Sequence, residues 1–105
     1  MGNKYQFEDA MQALNRALKI SETKFGADHP ITADIVYTTG CVFLMQQDYD
    51  EALKWLERGL AAKEKVLGPA HPDVSTLLNR LGTLYVEKVD FKKAEEYFKR
   101  ALQIR

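Results

Sequence analysis

Two histidines, a lone cysteine, a single tryptophan and a few adjacent carboxylates are the side chains with distinctive chemistry, so their spacing decides what the chain can do. His29 and His71 lie 42 residues apart, and each stands directly before a proline, Pro30 and Pro72. Histidines paired at the short spacing typical of structural zinc sites are absent. The shared setting of His29 and His71, Gly26-Ala27-Asp28-His29-Pro30 and Gly68-Pro69-Ala70-His71-Pro72, instead assigns each histidine to organising a turn. Cys41 reads as a small apolar helix residue, the usual role of an unpaired cysteine. Glu95 and Glu96 fall in a stretch rich in both signs of charge, which describes a solvated face. The Gly26-Ala27 and Gly68-Pro69 pairs stop helices, and neither leads into the glycine spacing or the Gly-Lys-Ser/Thr run that cradles phosphate. Trp55 stands beside Leu56 and is expected to pack in the core against the following helix. No catalytic, cofactor-binding or metal-binding residue is expected, and the chain does not read as an enzyme.

Composition narrows the partners. The 105 residues suit one domain with a modest core. Hydrophobic residues at 46% and charged residues at 29% match a globular chain rather than a disordered one. The 15 basic and 15 acidic residues cancel and are interspersed, so neither nucleic acid nor a lipid surface is an expected partner. No apolar stretch nears the roughly 18 residues of a membrane span, and the first residues lack a signal-peptide core, so a cytoplasmic location is expected. The single cysteine excludes an internal disulfide.

The elements that must position any site emerge from an internal repeat. Steps of 42 connect Phe7, Tyr49 and Phe91; Ala10, Ala52 and Ala94; Leu14, Leu56 and Phe98; Arg16, Arg58 and Arg100; and Leu18, Leu60 and Leu102. Gly40 pairs with Gly82 and Asp48 with Asp90 in the same way. Each period holds two helical patterns. Val36, Thr39, Gly40 and Phe43 share one helical face, as do Leu78, Leu81, Gly82 and Tyr85 one repeat later. Ala52, Leu56, Gly59, Leu60 and Lys63 form the matching stripe of the second pattern. Prolines 30 and 72 suit first helical turns, Asp48 suits an N-cap, and Gly68 suits a C-terminal stop.

Five helices follow and no strand: α1 over about 5–25, α2 over about 30–47, α3 over about 48–67, α4 over about 72–89 and α5 from about 90 onward. Residues 1–4 read as a tail and 5–105 as one domain, made of a half repeat over 5–25 and full repeats over 26–67 and 68–105. Mid-helix glycine costs about 1 kcal/mol relative to alanine, so Gly40 and Gly82 are expected to face Ala52 and Ala94 across tight helix crossings.

Leu81-Gly82, Tyr85, Ala94, Phe98 and Ala101 resemble the tetratricopeptide signature. The 42-residue period, the Gly-x-x-His-Pro joint, the stretch from Glu64 to Val74 and the closing run Ala101-Leu102-Gln103-Ile104-Arg105 resemble its kinesin light chain subtype. Thr39 and Gly59 depart from that signature, where it has Leu and Ala. The resemblance implies an all-α, right-handed α-solenoid of antiparallel hairpins, with helices in the order B-A-B-A-B. It also implies a concave groove lined by the A helices α2 and α4, which receives a peptide or helix of a partner protein. Adaptors of this kind use no cofactor.

Carried onto this chain, the family pattern directs Asp34, Tyr37, Cys41, Leu44 and Met45 of α2 and Thr76, Asn79, Thr83, Val86 and Glu87 of α4 into the groove. Asn79 matches the first asparagine of a Leu-Asn-Asn-Leu run, with Arg80 in place of the second, and such an amide holds the backbone of an extended ligand. Specificity then falls to Tyr37, Leu44, Met45 and Glu87. The groove is expected to lack a basic pair, which disfavours capture of a C-terminal carboxylate. Asp34 is the one formal charge between Pro30 and Gln47, so Tyr37, Leu44 and Met45 call for a cover, unless α2 is itself more deeply buried than the pattern implies.

Two other readings use different features. Self-association as a homodimer or an end-to-end stack would cover the Phe7, Ala10, Leu14, Ala17 and Leu18 seam of α1, together with Tyr97 and Leu102 of α5, since both end helices lack an A helix on one side. A regulatory segment of a larger protein is the other.

Overall fold

The computed structural model describes residues 4–104. Five helices follow one another: α1 Lys4–Phe25, α2 Pro30–Met45, α3 Tyr49–Leu67, α4 Pro72–Glu87 and α5 Phe91–Ile104, with no strand among the described residues. Of the tail expected over residues 1–4, the first three lie outside the described residues and Lys4 opens α1.

The joints between repeats are built by the residues that punctuate the sequence. Gly26 and Gly68 end α1 and α3 with φ of 87° and 92°, a region that glycine enters at no steric cost. The Nδ1 atom of His29 then accepts from the backbone N–H of Ile31 at 3.2 Å, and that of His71 from Asp73 at 3.0 Å. Each imidazole therefore caps the helix whose first turn begins with the proline after it. The α1–α2 joint adds a buried clasp. Thr32 donates its hydroxyl to the Gly26 carbonyl at 2.8 Å, so the 2.5 Å contact with Ser21 is made by the serine donating to Thr32.

Within each repeat the turn is tighter and uses less obvious residues. The helices α2 and α4 stop at Met45 and Glu87, two residues before the expected ends, because Gln47 and Val89 take the left-handed conformation at φ of 60° and 62°. The N–H groups of Asp48 and Asp90 reach back to the carbonyls of Phe43 and Tyr85, while those of Gln47 and Val89 reach Leu44 and Val86. This double closure satisfies the last carbonyls of the helix. Asp48 and Asp90 then accept from Glu51 and Lys93 to start α3 and α5.

Backbones approach closely only between consecutive helices, most extensively within the α2–α3 and α4–α5 hairpins. Stacking of hairpins in this way makes a short solenoid whose core runs between layers. Leu56, Leu77, Leu78, Leu81, Leu84, Val36 and Val74 are fully buried. Burying each aliphatic side chain contributes about 1.5–3 kcal/mol. The glycines sit at the crossings, where their nearest neighbours are Leu56 and Phe98. A Cβ on Gly40 would lie 2.8 Å from the Leu56 side chain, and one on Gly82 would lie 2.7 Å from the Phe98 ring. Ala52 and Ala94 are buried beside these contacts, whereas the close approach falls one helical turn further along, where the larger side chain occupies the space a Cβ would need.

Long side chains connect alternate helices. Arg58 pairs with Glu22 at 2.8 Å and Arg100 with Glu64 at 2.6 Å, the same contact one 42-residue repeat apart. These exposed pairs add little to stability individually, and they set the register of one B helix on the next.

Candidate functional site

The C-terminal end of α2, the turn after it and one face of α4 line a common hollow of about 550 Å³. Its apolar side is made by Leu44, Met45, Tyr49 and Leu84, and its polar side by Gln47, Thr76, Asn79, Arg80, Thr83 and Glu87. The α4 residues recur at helical spacing from 76 to 87, so a single face of one helix presents them. Six of the ten expected groove residues meet here: Leu44, Met45, Thr76, Asn79, Thr83 and Glu87.

The polar residues differ in what they leave available. Thr76 donates its hydroxyl to the Pro72 carbonyl at 3.2 Å and Thr83 to that of Asn79 at 3.0 Å. Both donors are spent on their own helix. The Asn79 amide and the Glu87 carboxylate make no hydrogen bond or ion pair with another side chain among the described residues, while the Arg80 guanidinium interacts with Tyr37 and has no carboxylate partner there. Met45 is 78% exposed, the most accessible of the large apolar side chains among the described residues, while Leu44 is half-buried and packs against the core.

The other four expected residues lie elsewhere. Asp34 accepts an ion pair from Lys63 at 2.7 Å, and it lines a smaller recess of about 100 Å³ with Pro30, Val66 and Asp73. Lys63 is nearly buried, which is tolerable because this carboxylate neutralises it. Tyr37 and Cys41 are half-buried against the core. Burial, and then hydrogen bonding to the Cys41 thiol, pushes the Tyr37 phenol above its usual range, with Arg80 pulling the other way. Val86 is exposed and is not part of the hollow's lining.

Among the described residues, Arg80 is the one basic side chain that lines the hollow, and Lys63 lines the smaller recess with Asp34. The Lys63 ammonium and the Arg80 guanidinium lie 5.5 Å and 5.9 Å from the centroid of the same Tyr37 ring. Asp34 neutralises the lysine, whereas the arginine interacts with Tyr37 and has no carboxylate partner among the described residues. Arg80, Gln47, Tyr49 and Leu84 were not foreseen as lining residues. For Arg80 a signal existed, since residue 80 is one position after Asn79 and four after Thr76 on the same helical face.

Two further residues depart from expectation. Trp55 is half-buried, with the Arg58 guanidinium 5.2 Å from its ring, and it does not join the central core. Tyr97 is not left open at the end of the solenoid. Its ring stacks on Tyr85 at 5.5 Å, and both hydroxyls donate to the same Glu57 oxygen, Tyr85 at 2.6 Å and Tyr97 at 3.2 Å. Burial, with the Glu57 carboxylate adding to it, raises both phenols, that of Tyr97 to about 12. One of the surfaces suggested for self-association is thereby closed. Leu102 remains exposed, and in α1 the residues Phe7, Ala10, Leu14 and Ala17 are half-buried with Leu18 buried. Among the described residues no cluster of metal ligands is present, and no helix is long and apolar enough to cross a membrane.

Comparison with known proteins agrees with the fold of stacked helix hairpins. The profile of the tetratricopeptide repeat family matches residues 6–65 and again 46–105. Among solved structures, BtubC (BKLC) from P. vanneervenii is similar at 30% identity over 96% of this chain and 41% of its own, with a TM-score of 0.85. A kinesin light chain candidate from Podosopora anserina, with nearly identical TPR-like repeats, is similar at 20% identity over 94% of this chain and 47% of its own, with a TM-score of 0.78. A point variant of that same protein gives 0.79. The chain therefore spans less than half the length of the structures it resembles. None of the curated proteins matches it. Two overlapping profile matches that together run from residue 6 to residue 105, on a solenoid of helix hairpins, mean that the chain belongs to the tetratricopeptide repeat family.

Proposed function

We propose that this chain is a non-catalytic adaptor module that holds a peptide or a helix of a partner protein in the hollow that α2 and α4 line. The observation that carries this reading is the juxtaposition, within one hollow, of an exposed Met45 with an Asn79 amide free to bond a ligand backbone. Leaving such an apolar side chain in water forgoes about 1.5–3 kcal/mol that contact with a partner would supply. The amide both donates and accepts, so it holds a peptide group without requiring a particular side chain. The family's general role in protein interaction supports the same conclusion, and the unpaired Cys41 fits work in the cytoplasm.

Affinity purification with the intact chain, followed by identification of the retained protein, tests this. Met45→Glu and Asn79→Ala are expected to release the partner, and Glu95→Ala, on an exposed part of α5, to keep it. Retention unaffected by both changes in the hollow would refute the reading. Met45 is the better target than Leu44, whose contact with the core would confuse lost binding with lost stability.

A further inference from the structure

We infer that the hollow selects an extended peptide of mixed charge, in which an acidic residue meets Arg80 and a lysine or arginine, about three residues along, lays its aliphatic stem on Met45 and its charge on Glu87. This rests on the groove reading above and adds the order of charges to it. Arg80 and Glu87 are the two charged residues lining the hollow, and neither has an ion-pair partner among the described residues. Their neighbours differ in this respect, because Lys63 is paired with Asp34 and Lys88 with Asp50.

The spacing follows from the helix that carries them. Seven residues make two turns and a rise of about 10.5 Å. An extended chain covers that distance in about three residues, at about 3.3 Å each. The two ends of the hollow also differ in chemistry. At one end Arg80 stands 5.9 Å from the Tyr37 ring, an aromatic face beside a cation. At the other, Met45 and Glu87 occupy equivalent positions of successive repeats, 42 residues apart, and line the same hollow. An apolar side chain next to a carboxylate suits a long basic side chain, whose methylene groups cover the methionine while its charged tip reaches the acid. A wholly acidic segment would meet Glu87, and a wholly basic one would meet Arg80, so each is rejected by one end.

Random dodecapeptides displayed on phage and selected against the intact chain, R80E and E87K test the inference. The intact chain is expected to enrich an acid and a base about three residues apart. R80E should exchange the acid for a base, and E87K the base for an acid. A peptide selected by the intact chain, labelled and titrated by fluorescence anisotropy, should bind R80E roughly tenfold more weakly and recover when its acid is changed to lysine. Peptides that lack any charge preference, yet lose binding on Met45→Asp, would overturn the charge order and leave the groove reading standing. Failure to select any peptide sensitive to Met45→Asp or Asn79→Ala would overturn both.

Discussion

The edge of the Phe98 ring lies 2.7 Å from where a Cβ on Gly82 would be, so α5 fits onto α4 only because residue 82 has no side chain. Gly40 and Leu56 repeat this relationship in the α2–α3 hairpin at 2.8 Å. Gly59 differs, since a Cβ there would meet Tyr37 at 3.5 Å, an ordinary contact. Gly82→Leu is therefore expected to cost about 1–3 kcal/mol through overpacking. Gly59→Ala should instead gain about 0.5–1 kcal/mol, because alanine favours a helix and the space exists. Urea denaturation midpoints should move in opposite directions for the two variants. The same direction for both would contradict the packing described.

Helix ends offer a second pair of opposite effects. His71→Ala removes the acceptor for the Asp73 N–H and should destabilise by about 0.5–2 kcal/mol, while His71→Asn, a good capping residue, should avoid most of that loss. Val89 is a β-branched, exposed residue held at φ 62°. Val89→Asn should stabilise by about 1 kcal/mol, since asparagine tolerates the left-handed region. Thermal melts of these three variants, at fixed pH, check both statements.

The Tyr85–Tyr97–Glu57 cluster predicts sensitivity to alkali. Both phenols are raised in the folded chain, so the folded state favours their protonated form. The stability they contribute is complete below the unfolded value of about 10 and is lost as pH rises through the folded range. For Tyr97 that range is about 12. Melting temperature should fall between pH values of about 10 and 12, and the fall should be shallower in a Tyr85→Phe/Tyr97→Phe double variant. Equal slopes would show that the cluster is not responsible.

Much of the architecture was legible because single residues determine it. The 42-residue period, the His-Pro joints and the aspartate caps each act locally, so their positions along the chain were enough. The turns at Gln47 and Val89 were not legible, because neither residue is among those that favour left-handed backbone. Helical periodicity describes one helix at a time, so it missed the union of Tyr85, Tyr97 and Glu57 from three helices, as well as the approach of Arg58 to the Trp55 ring. The arginine series of the repeat did contain a signal for the B-helix ladder. Arg58 and Arg100 share a phase, as do Glu22 and Glu64, and the two sets meet. Of the ten residues that the family resemblance directs to a groove, six line the hollow, and Arg80, seen only as a departure from an asparagine run, lines it too.

Site-specific photo-crosslinking tests the central claim most directly. A benzoyl-phenylalanine placed at residue 45, in the hollow, should join covalently to a partner protein when irradiated with cell extract, and Asn79→Ala in the same chain should suppress the adduct. The same group at residue 95, on an exposed part of α5, should yield none. Adducts formed at residue 95 but not at residue 45 would contradict the account by showing that the partner meets a surface other than the hollow.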